Sequence, residues 1–555
     1  MMSTVSKGEE FDAVIIGAGH NGLVTAAYLA KAGLRVVVLE RREVLGGAAA
    51  TEEIFSGYQI NTGTCDTSLL LPKIISDLDL ETNGVEFIHP PAAIFAPQSD
   101  GRSLTIWRDP QRTREEIAAF SKKDADNFPG YLRLVSRLGE ILRDTMTLTP
   151  PAIPEITFGS VLPWLPLALK VKRLGDHDLA ELLRVVPMPV KDFLDEWFEN
   201  PLLKAALGVS GVIGSMQGPR SPGTSLSLLY QANGAGSSGF PNTRLVRGGT
   251  GVLSQALADF ARKHGADIHL GEPVEAINLD RGQITGVTLT SGERISSRIV
   301  LSNANPRHTF FDLVGAPNLP LHFVREMRDF KYRGSTTRIN LVLSSLPSFN
   351  TASSDENLTG RIVICPNLDY LERAYDSAKY GSTPTQPYLD IVIPTLSDPS
   401  LAPEGAHIMC IDVRYTPYNL SDSTWDKQKE RLGDQVIKLL SAYAPDIKDL
   451  VTHHQILTPL DLERHYGLPE GNIYHGQMGL DQLFFMRPSA GSHGANTPIP
   501  GLYVCGSGAH PGGGLTGAPG YNAARQMLKE MRKEISSRRK GKKASNRLTS
   551  RTNIL

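Results

Sequence analysis

The chain has 555 residues, of which 41% are hydrophobic and 21% charged, a composition that excludes a disordered or fibrous protein. Its length predicts roughly two to four domains. The 57 Lys and Arg residues nearly balance the 58 Asp and Glu, and the net charge of −1 argues against a nucleic-acid-binding protein. The four cysteines form no C-x-x-C pair, which excludes a zinc ribbon, a thiol–disulfide redox pair and a disulfide scaffold.

Neither end of the chain carries a recognisable targeting signal. Residues 1–10 are polar and lack the cationic start and apolar run of a secretory signal, so we expect a cytoplasmic protein that is not secreted. No run of about 18 apolar residues predicts a membrane-spanning helix. The apolar stretch Val161–Leu169 (VLPWLPLAL) allows two interpretations. It is either a buried or packed loop or a shallow edge that dips into a membrane, with Trp164 at the interface.

The first motif with chemical meaning follows a run rich in β-branched residues. Phe11–Gly17 (FDAVIIG) predicts a strand buried on both faces, and a G-x-G-x-x-G pattern then opens a helix. Gly17 permits a tight turn, Gly19 lets the backbone approach a pyrophosphate, and Gly22 lets the helix pack closely on the strand. The next strand ends at Glu40, whose carboxylate would accept hydrogen bonds from ribose hydroxyls. The sequence therefore predicts dinucleotide binding.

A glycine doublet, Gly46-Gly47, follows six residues after Glu40 and would let a second backbone segment approach the phosphates. This arrangement resembles the extended FAD signature of the flavoproteins that include amine oxidases and carotenoid desaturases. Many of those proteins carry an arginine after the doublet, where this chain has Ala48. The difference weakens a direct amine-oxidase assignment and removes one phosphate contact, but it leaves FAD as the expected cofactor. Arg41, beside the acid, is counted with the cofactor-binding residues.

Two later segments are predicted to complete the nucleotide-binding sheet. A predicted helix at 252–264 precedes predicted strands at 267–270, 272–277, 283–289 and 298–302, which include a hairpin. In the resembling flavoproteins, the backbone at the position of Val274 meets the adenine ring. Near the C-terminus, a short strand at 501–506 runs into a glycine-rich turn and then a helix. Free N–H groups there would favour a reduced, anionic flavin. The residues assigned to the cofactor in this segment are Gly506, Ser507, Leu515 and Gly517.

His510 lies in the same turn and is the candidate catalytic residue, because a histidine can act as an acid or base near neutral pH. The alternative is a histidine that only hydrogen-bonds a loop carbonyl. We expect no metal, since no H-E-x-x-H occurs and His453-His454 lacks ligand spacing with other residues.

The motif segments together resemble one branch of the carotenoid (phytoene) desaturase-like flavoproteins. Residues 467–475 (GLPEGNIYH), Arg487-Pro488 and residues 505–514 (CGSGAHPGGG) look most like the pyridine nucleotide-disulfide oxidoreductase domain-containing protein 2 family. The nearest relatives of that family are flavoprotein-type β-carotene ketolases and phytoene desaturases. The resemblance implies an α/β fold: a Rossmann-like FAD-binding domain, with a parallel sheet and a β-hairpin or meander insertion, plus an α+β substrate domain built from two insertions.

The resemblance also divides the chain. The FAD-binding domain is expected at 11–90, 241–310 and 481–530, and the substrate domain at 91–240 and 311–480. Residues 531–555 are expected to form a basic, disordered tail. From Lys529 onward the chain has ten basic and two acidic residues, which indicates either a solvated end or contact with an anionic membrane.

The implied activity is an FAD-dependent, phytoene dehydrogenase-related oxidoreductase. It would oxidise a hydrophobic carotenoid-, polyene- or lipid-like substrate by hydride transfer to flavin N5. The substrate would enter through an apolar tunnel, and Phe484, Phe485 and Met486 would serve either as its wall or as plain core residues. Two alternatives stay open: a β-carotene ketolase-like oxidase, and a non-catalytic flavin- or prenyl-lipid-binding regulatory protein. The oligomeric state is not predicted.

Overall fold

The computed structural model describes residues 10–151, 161–173, 176–234, 243–490 and 494–533. Within these ranges the strands are β1 Ala13–Ile16, β2 Val36–Leu39, β3 Thr51–Phe55, β4 Tyr58–Asn61, β5 Phe87–Ile88, β6 Ala92–Pro97, β7 Ser103–Trp107, β8 Leu245–Val246, β9 Ala266–His269, β10 Val274–Asp280, β11 Gln283–Leu289, β12 Arg294–Ser296, β13 Val300–Ser302, β14 Thr336–Leu343, β15 Arg361–Ile364, β16 Leu389–Val392, β17 His407–Arg414, β18 Val451–Leu457 and β19 Leu502–Val504.

The α-helices in the same ranges connect and cover these strands. They are His20–Lys31, Pro72–Asp77, Pro110–Ala118, Lys122–Thr145, Leu165–Arg173, Asp176–Val185, Val190–Asp195, Pro201–Gly208, Thr224–Gln231, Thr250–Lys263, Leu321–Asp329, Leu368–Lys379, Trp425–Leu440, Ile447–Leu450 and Pro459–Tyr466. Residues 518–533 are also helical, and His308–Val314 form a π-helix.

A parallel sheet forms the nucleotide-binding half, with the strand order β19-β13-β1-β2-β9. Both faces of β1 and β2 are buried, because successive side chains point to opposite sides and both sides are covered. Ala13 and Ile15 belong to a buried cluster that includes the helix His20–Lys31. Val14 and Ile16 belong to another, with β10 and β11. The continuous apolar runs in the sequence therefore do form a sheet buried on both faces.

Strands β10, β11 and β12 form an antiparallel meander inserted between β9 and β13 of the parallel sheet. The Rossmann-like domain with a meander insertion is therefore confirmed.

A mixed sheet forms the other half, with the strand order β18-β14-β17-β16-β15-β6-β7. Strands β6 and β7 come from the first insertion and the remaining strands from the second. The two insertions join where β6 pairs in parallel with β15, and the other neighbours are antiparallel. This sheet and its helices confirm an α+β unit built from two separate stretches of chain.

The exact domain bounds stay a prediction. One buried cluster runs from Ile15 of the parallel sheet to Phe128 and Tyr131 of the first insertion, so no gap in the core marks the bound at 90/91. The basic tail predicted for 531–555 lies outside the described residues from 534 onward.

The interpretation of Val161–Leu169 as a buried or packed loop is wrong. Leu162–Trp164 form a 3₁₀ turn and Leu165–Arg173 an α-helix. Both prolines of the segment lie in first turns, where a missing N–H leaves no hydrogen bond unmade. Leu162 and Leu165 are about half exposed, at 52% and 51%. Within the described ranges, no helix is both long and apolar enough to cross a bilayer.

Candidate functional site

A cavity of about 450 Å³ lies at the carboxyl ends of β1, β2 and β13. In open parallel sheets this edge is where nucleotides bind. Its lining comes from stretches far apart in sequence: the first glycine loop, the start of β10, and the turn after β19. The three segments predicted to surround one ligand therefore meet in space. The predicted cofactor-binding residues that line this cavity are Gly17, Gly19, Glu40, Arg41, Gly46, Gly47, Ala48, Val274 and Ser507.

The first glycine loop brings its backbone close to other backbone. Gly17 has a φ of +94°, and the helix begins at His20 directly after Gly19. A Cβ at Gly22 would lie 2.1 Å from the carbonyl oxygen of Gly17, so a side chain would push the helix off the strand. Gly22 therefore acts by packing and does not line the cavity. The N–H groups of the first helical turn are the expected phosphate donors.

Glu40 is buried at the end of β2. Its carboxylate accepts hydrogen bonds from the backbone N–H groups of Ala18, at 2.7 Å, and Arg42, at 2.9 Å. A carboxylate has about four lone-pair positions, so two stay available to ribose hydroxyls. The same two contacts fix the glycine loop relative to β2, which gives Glu40 a structural role besides its predicted binding role.

The glycine doublet lies against the first loop. The N–H of Gly46 donates to the carbonyl of Ala18 at 2.9 Å, and Gly46 and Gly47 have φ values of +100° and +58°. A Cβ at Gly46 would lie 2.6 Å from Ser254 Oγ. The glycine doublet thus forms a second wall of the cavity, in which backbone rather than a side chain faces the ligand space.

Arg42 places a guanidinium group in the lining of the larger cavity, where Ala48 offers no positive charge. Its Nη2 donates to both carboxylate oxygens of Glu52, at 2.9 and 2.8 Å, and the guanidinium stacks on Tyr466. Its buried Nη1 has no hydrogen-bond partner among the described residues, and Arg42 lines the cavity. Arg41 lines the cavity too, and its Nη2 donates to the carbonyl of His465 at 2.9 Å.

A second cavity of about 140 Å³ adjoins the first. The two share the lining residues His20, Ala48, Ile473 and Ser507. Leu515 of the late turn lines the second cavity, as its assignment to the cofactor predicts. The two cavities therefore lie side by side between the glycine loop and the mixed sheet.

The second cavity is not the apolar tunnel that we expected. Leu69, Ile213 and Leu515 form an apolar side, but the mixed sheet contributes a charged side. The charged lining residues are Asp66, Arg338, Arg361, Asp390, Asp412 and Arg414.

The segment predicted as tunnel wall or core is not the wall of either cavity. Phe484, Phe485 and Met486 line neither of the two cavities. Phe484 is partly buried and packs against the main core cluster, as the core interpretation expects, whereas Phe485 is 36% exposed. The three residues form a 3₁₀ turn.

The turn after β19 approaches the first loop closely. Ser507 Oγ accepts a hydrogen bond from Asn21 Nδ2 at 3.2 Å. A Cβ at Gly506 would lie 2.6 Å from the carbonyl oxygen of Asn303, and Gly517, with a φ of +70°, packs on Ile74. Neither glycine lines the two cavities, so both serve the site by letting the turn pack closely.

Arg487 is a buried cation behind this turn, with a fully buried side chain. Its Nε and Nη2 donate to the carbonyl of Ser507, at 3.0 and 2.8 Å, and its other bonds go to carbonyls of Tyr474, Gly476, Gln477 and Gln482. Burial lowers the pKa of Arg487 to about 10. Among the described residues no carboxylate pairs with it, so its charge adds to the positive potential behind the turn.

His510 lines neither of the two cavities. It is 1% exposed, its Nε2 lies 3.0 Å from the carbonyl of Thr145, and its Nδ1 has no partner in the described structure. Burial lowers its pKa to about 4. This geometry matches the alternative of a histidine that hydrogen-bonds a loop carbonyl.

Sequence reasoning missed several residues that line the larger cavity. Asn303 directly follows β13, and Asn305 lies two residues beyond it. His475 belongs to the stretch 467–475 that carries the family resemblance; its ring is half-buried, and its Nδ1 has no partner among the described residues. The position of the asparagines at the carboxyl end of a parallel strand was an available signal. His20 and Arg42, which are adjacent to predicted residues, were also not assigned.

Comparison with known proteins defines the class. The flavin containing amine oxidoreductase family matches residues 22–528, so the chain belongs to that family. An engineered putrescine oxidase, a triple mutant, has a similar fold, with a TM-score of 0.60 over 95% of this chain and 99% of that one, at 15% identity.

Within this class, the chain belongs to the pyridine nucleotide-disulfide oxidoreductase domain-containing protein 2 family. It is 38% identical to the protein of that name from Rattus norvegicus, over 94% of each chain. It is also 28% identical to a subunit of limonene dehydrogenase from Castellaniella defragrans, over 95% of this chain and 96% of that one. The protein is an FAD oxidoreductase. The residues of the larger cavity fit FAD, because they include an unpaired guanidinium N–H of Arg42, the Glu40 carboxylate that is expected to bind ribose, and two walls formed by glycine backbone.

Replacing Gly19 by valine should abolish most FAD binding. A Cβ at Gly19 would lie 2.7 Å from Asn303 Nδ2, and the larger side chain would enter the cavity. We expect at least tenfold weaker binding, about 1.4 kcal/mol, by titration of apoprotein with FAD. Gly139→Ala is the control, because its new Cβ would have no neighbour closer than 3.5 Å. Wild-type flavin content in Gly19→Val would show that the fingerprint is misplaced.

Three histidines with lowered pKa values should make the protein sensitive to acid. Burial lowers the pKa of His20 and His510 to about 4 and that of His475 to about 3. An unfolded histidine titrates near 6.5, so the unfolded chain binds more protons below that pH and the free energy of unfolding falls as pH drops toward 4. His510→Gln should reduce this slope by up to about 1.4 kcal/mol per pH unit, measured by denaturant unfolding between pH 4.5 and 7.5.

The same variant tests the catalytic assignment of His510. A packing role predicts that the pH profile of flavin reduction keeps its shape between pH 6 and 8. Loss of a titration step from that profile in His510→Gln would instead support acid–base catalysis.

Proposed function

We propose that the protein dehydrogenates a lipid-like substrate, with a largely hydrophobic body, in the smaller cavity. The observation that carries this proposal is that the two cavities are adjacent, since Ser507 and Ala48 line both the cavity of the FAD-binding residues and the smaller one. FAD, when bound, supplies the oxidant by accepting hydride from a substrate C–H bond at flavin N5. The relative named as a limonene dehydrogenase supports a dehydrogenase acting on an apolar molecule.

The residues of this chain would bind and orient the substrate. Leu69 and Ile213 provide apolar contacts, and Leu515 places the late turn against the same space. A small apolar extension, bounded by Leu226 and Leu483, opens beside Ile213. Dehydrogenation by a flavin requires an aimed C–H bond and exclusion of water, which such walls provide.

Anaerobic reduction of the bound flavin tests this proposal. Acyclic polyenes, monoterpenes and unsaturated fatty acids would be added in turn, and the loss of oxidised-flavin absorbance followed. We expect Ile213→Asn to lower the second-order rate constant of reduction at least tenfold with FAD content unchanged, because a polar group replaces an apolar contact. Ile213→Leu is the conservative control.

Two results would contradict the proposal. Reduction by none of these compounds would favour a flavin- or prenyl-lipid-binding regulatory protein. Incorporation of oxygen into the product, detected by mass spectrometry, would favour a ketolase-like oxidase.

We also propose that the apolar segment formed by residues 161–173 and 178–183 contacts a membrane surface. Six of the nine exposed large apolar side chains in the described residues belong to it: Val161, Leu162, Leu165, Leu169, Leu179 and Leu183. Leu165 and Leu169 share one helix face, and Lys172 and Arg173 are exposed at the end of that helix. An apolar face beside cations is suited to an anionic bilayer surface, from which a lipophilic substrate would enter.

The double variant Leu165→Asp, Leu169→Asp should lose this contact. Removing two apolar side chains and adding two negative charges should lower the bound fraction at least tenfold in flotation with vesicles containing phosphatidylglycerol. Leu321→Asp is a matched control, since Leu321 is 66% exposed and lies outside the segment. Equal flotation of the double variant and the wild type would exclude this surface, as would no flotation of the wild type.

A further inference from the structure

On the charged side of the smaller cavity, ionisable side chains form a row across the mixed sheet. Arg338 of β14 is directly paired in register with Asp412 of β17, and Asp412 with Asp390 of β16. Arg361 on β15 and Arg414 at the end of β17 complete the row, and all five side chains line the cavity. Four neighbouring strands thus present ionisable groups to one space next to the flavin-binding turn.

Arg338 uses four of its five N–H groups within the protein. Its Nη1 donates to Asp412 at 2.9 Å and its Nε to Asn340 at 3.2 Å. Its Nη2 donates to the carbonyl of Asn61 and to the sulfur of Cys65, at 3.2 and 3.1 Å. Arg338 therefore has a structural role in this row.

Arg361 and Arg414 each keep an unpaired donor. Arg361 uses Nε and Nη2 on the two carboxylate oxygens of Asp390, at 2.9 and 2.5 Å, and among the described residues its Nη1 has no partner. Arg414 donates from Nη2 to Asp412 at 3.1 Å and from Nη1 to Thr336 at 3.2 Å. In the same described part of the chain its buried Nε is unpaired.

The charges of the row itself do not balance. It holds three guanidinium groups, of Arg338, Arg361 and Arg414, and two carboxylates, of Asp390 and Asp412. The remaining carboxylate of the lining, Asp66, accepts hydrogen bonds from Ser68 and from the backbone N–H of Arg244. The row therefore carries one positive charge in excess, and a buried charge of this kind is unfavourable until an anion pairs with it.

We propose that Arg361 and Arg414 bind a carboxylate at one end of the substrate. A carboxylate carries the single negative charge that the row lacks and accepts hydrogen bonds from separate guanidinium N–H groups. The apolar body would then extend along Leu69 and Ile213 toward the flavin-binding turn. This inference rests on the proposed function and narrows its substrate from a lipid-like molecule to an apolar acid.

Calorimetric binding to the FAD-loaded protein tests the inference without turnover. The probes are octanoate, 1-octanol and octyl phosphate, which share one apolar chain. We expect octanoate to bind at least tenfold more tightly than the other two. Arg414→Gln and Arg361→Gln should each weaken octanoate at least tenfold and leave 1-octanol unchanged, whereas Arg220→Gln, at an exposed ion pair with Asp369, should change neither.

FAD content and thermal melting show whether each variant is folded, and the two single variants provide independent tests. Equal binding of octanoate and octanol, octanoate binding unaffected by both variants, or no octanoate binding to the wild type would each overturn the inference. Tighter binding of octyl phosphate than of octanoate would overturn the carboxylate assignment and indicate that the site binds a phosphate. Because binding is measured apart from flavin reduction, octanoate binding without any dehydrogenation would reject the proposed function and retain the anion site.

Discussion

Close backbone approach at the carboxyl ends of β1, β13 and β19 is the constraint on which the site depends. A Cβ at Gly22 would come within 2.1 Å of the Gly17 oxygen, and one at Gly506 within 2.6 Å of the Asn303 oxygen. At these distances the backbone itself would have to move. The helix and the late turn can therefore reach the same ligand only without side chains at these positions, and the cavity takes its shape from the backbone.

This constraint explains why the cofactor end was predictable from sequence. The fingerprint is local: strand, glycines, helix and Glu40 lie within about 30 residues, and each residue type has one physical reason to be there. The parallel strands were equally predictable, because burial on both faces leaves a continuous apolar run. Gly22 was assigned to close packing of the helix, which its position bears out, whereas Gly517 also acts by packing but was assigned to the cofactor, a distinction that sequence spacing does not contain.

The substrate side could not be predicted in the same way. Arg338, Arg361 and Arg414 lie on three strands, and each looks like an ordinary polar position of an alternating strand. Only the strand order and register place them in one row with Asp390 and Asp412. His510 illustrates the same limit: the sequence places it in the glycine turn, but it does not reveal on which side of the turn the ring lies.

The unpaired groups of the two cavities connect ligand binding with stability. Buried donors on Arg42 and Arg414 lack partners among the described residues, and each such group costs about 1–3 kcal/mol. Arg487 adds a buried cation whose bonds all go to neutral carbonyls. FAD brings negative phosphates to the first cavity, and an acidic substrate would bring a carboxylate to the second. A ligand that pairs with these groups binds only the folded chain, so it stabilises the fold by mass action. The unpaired donors that lower the stability of the ligand-free fold would therefore also favour anionic ligands.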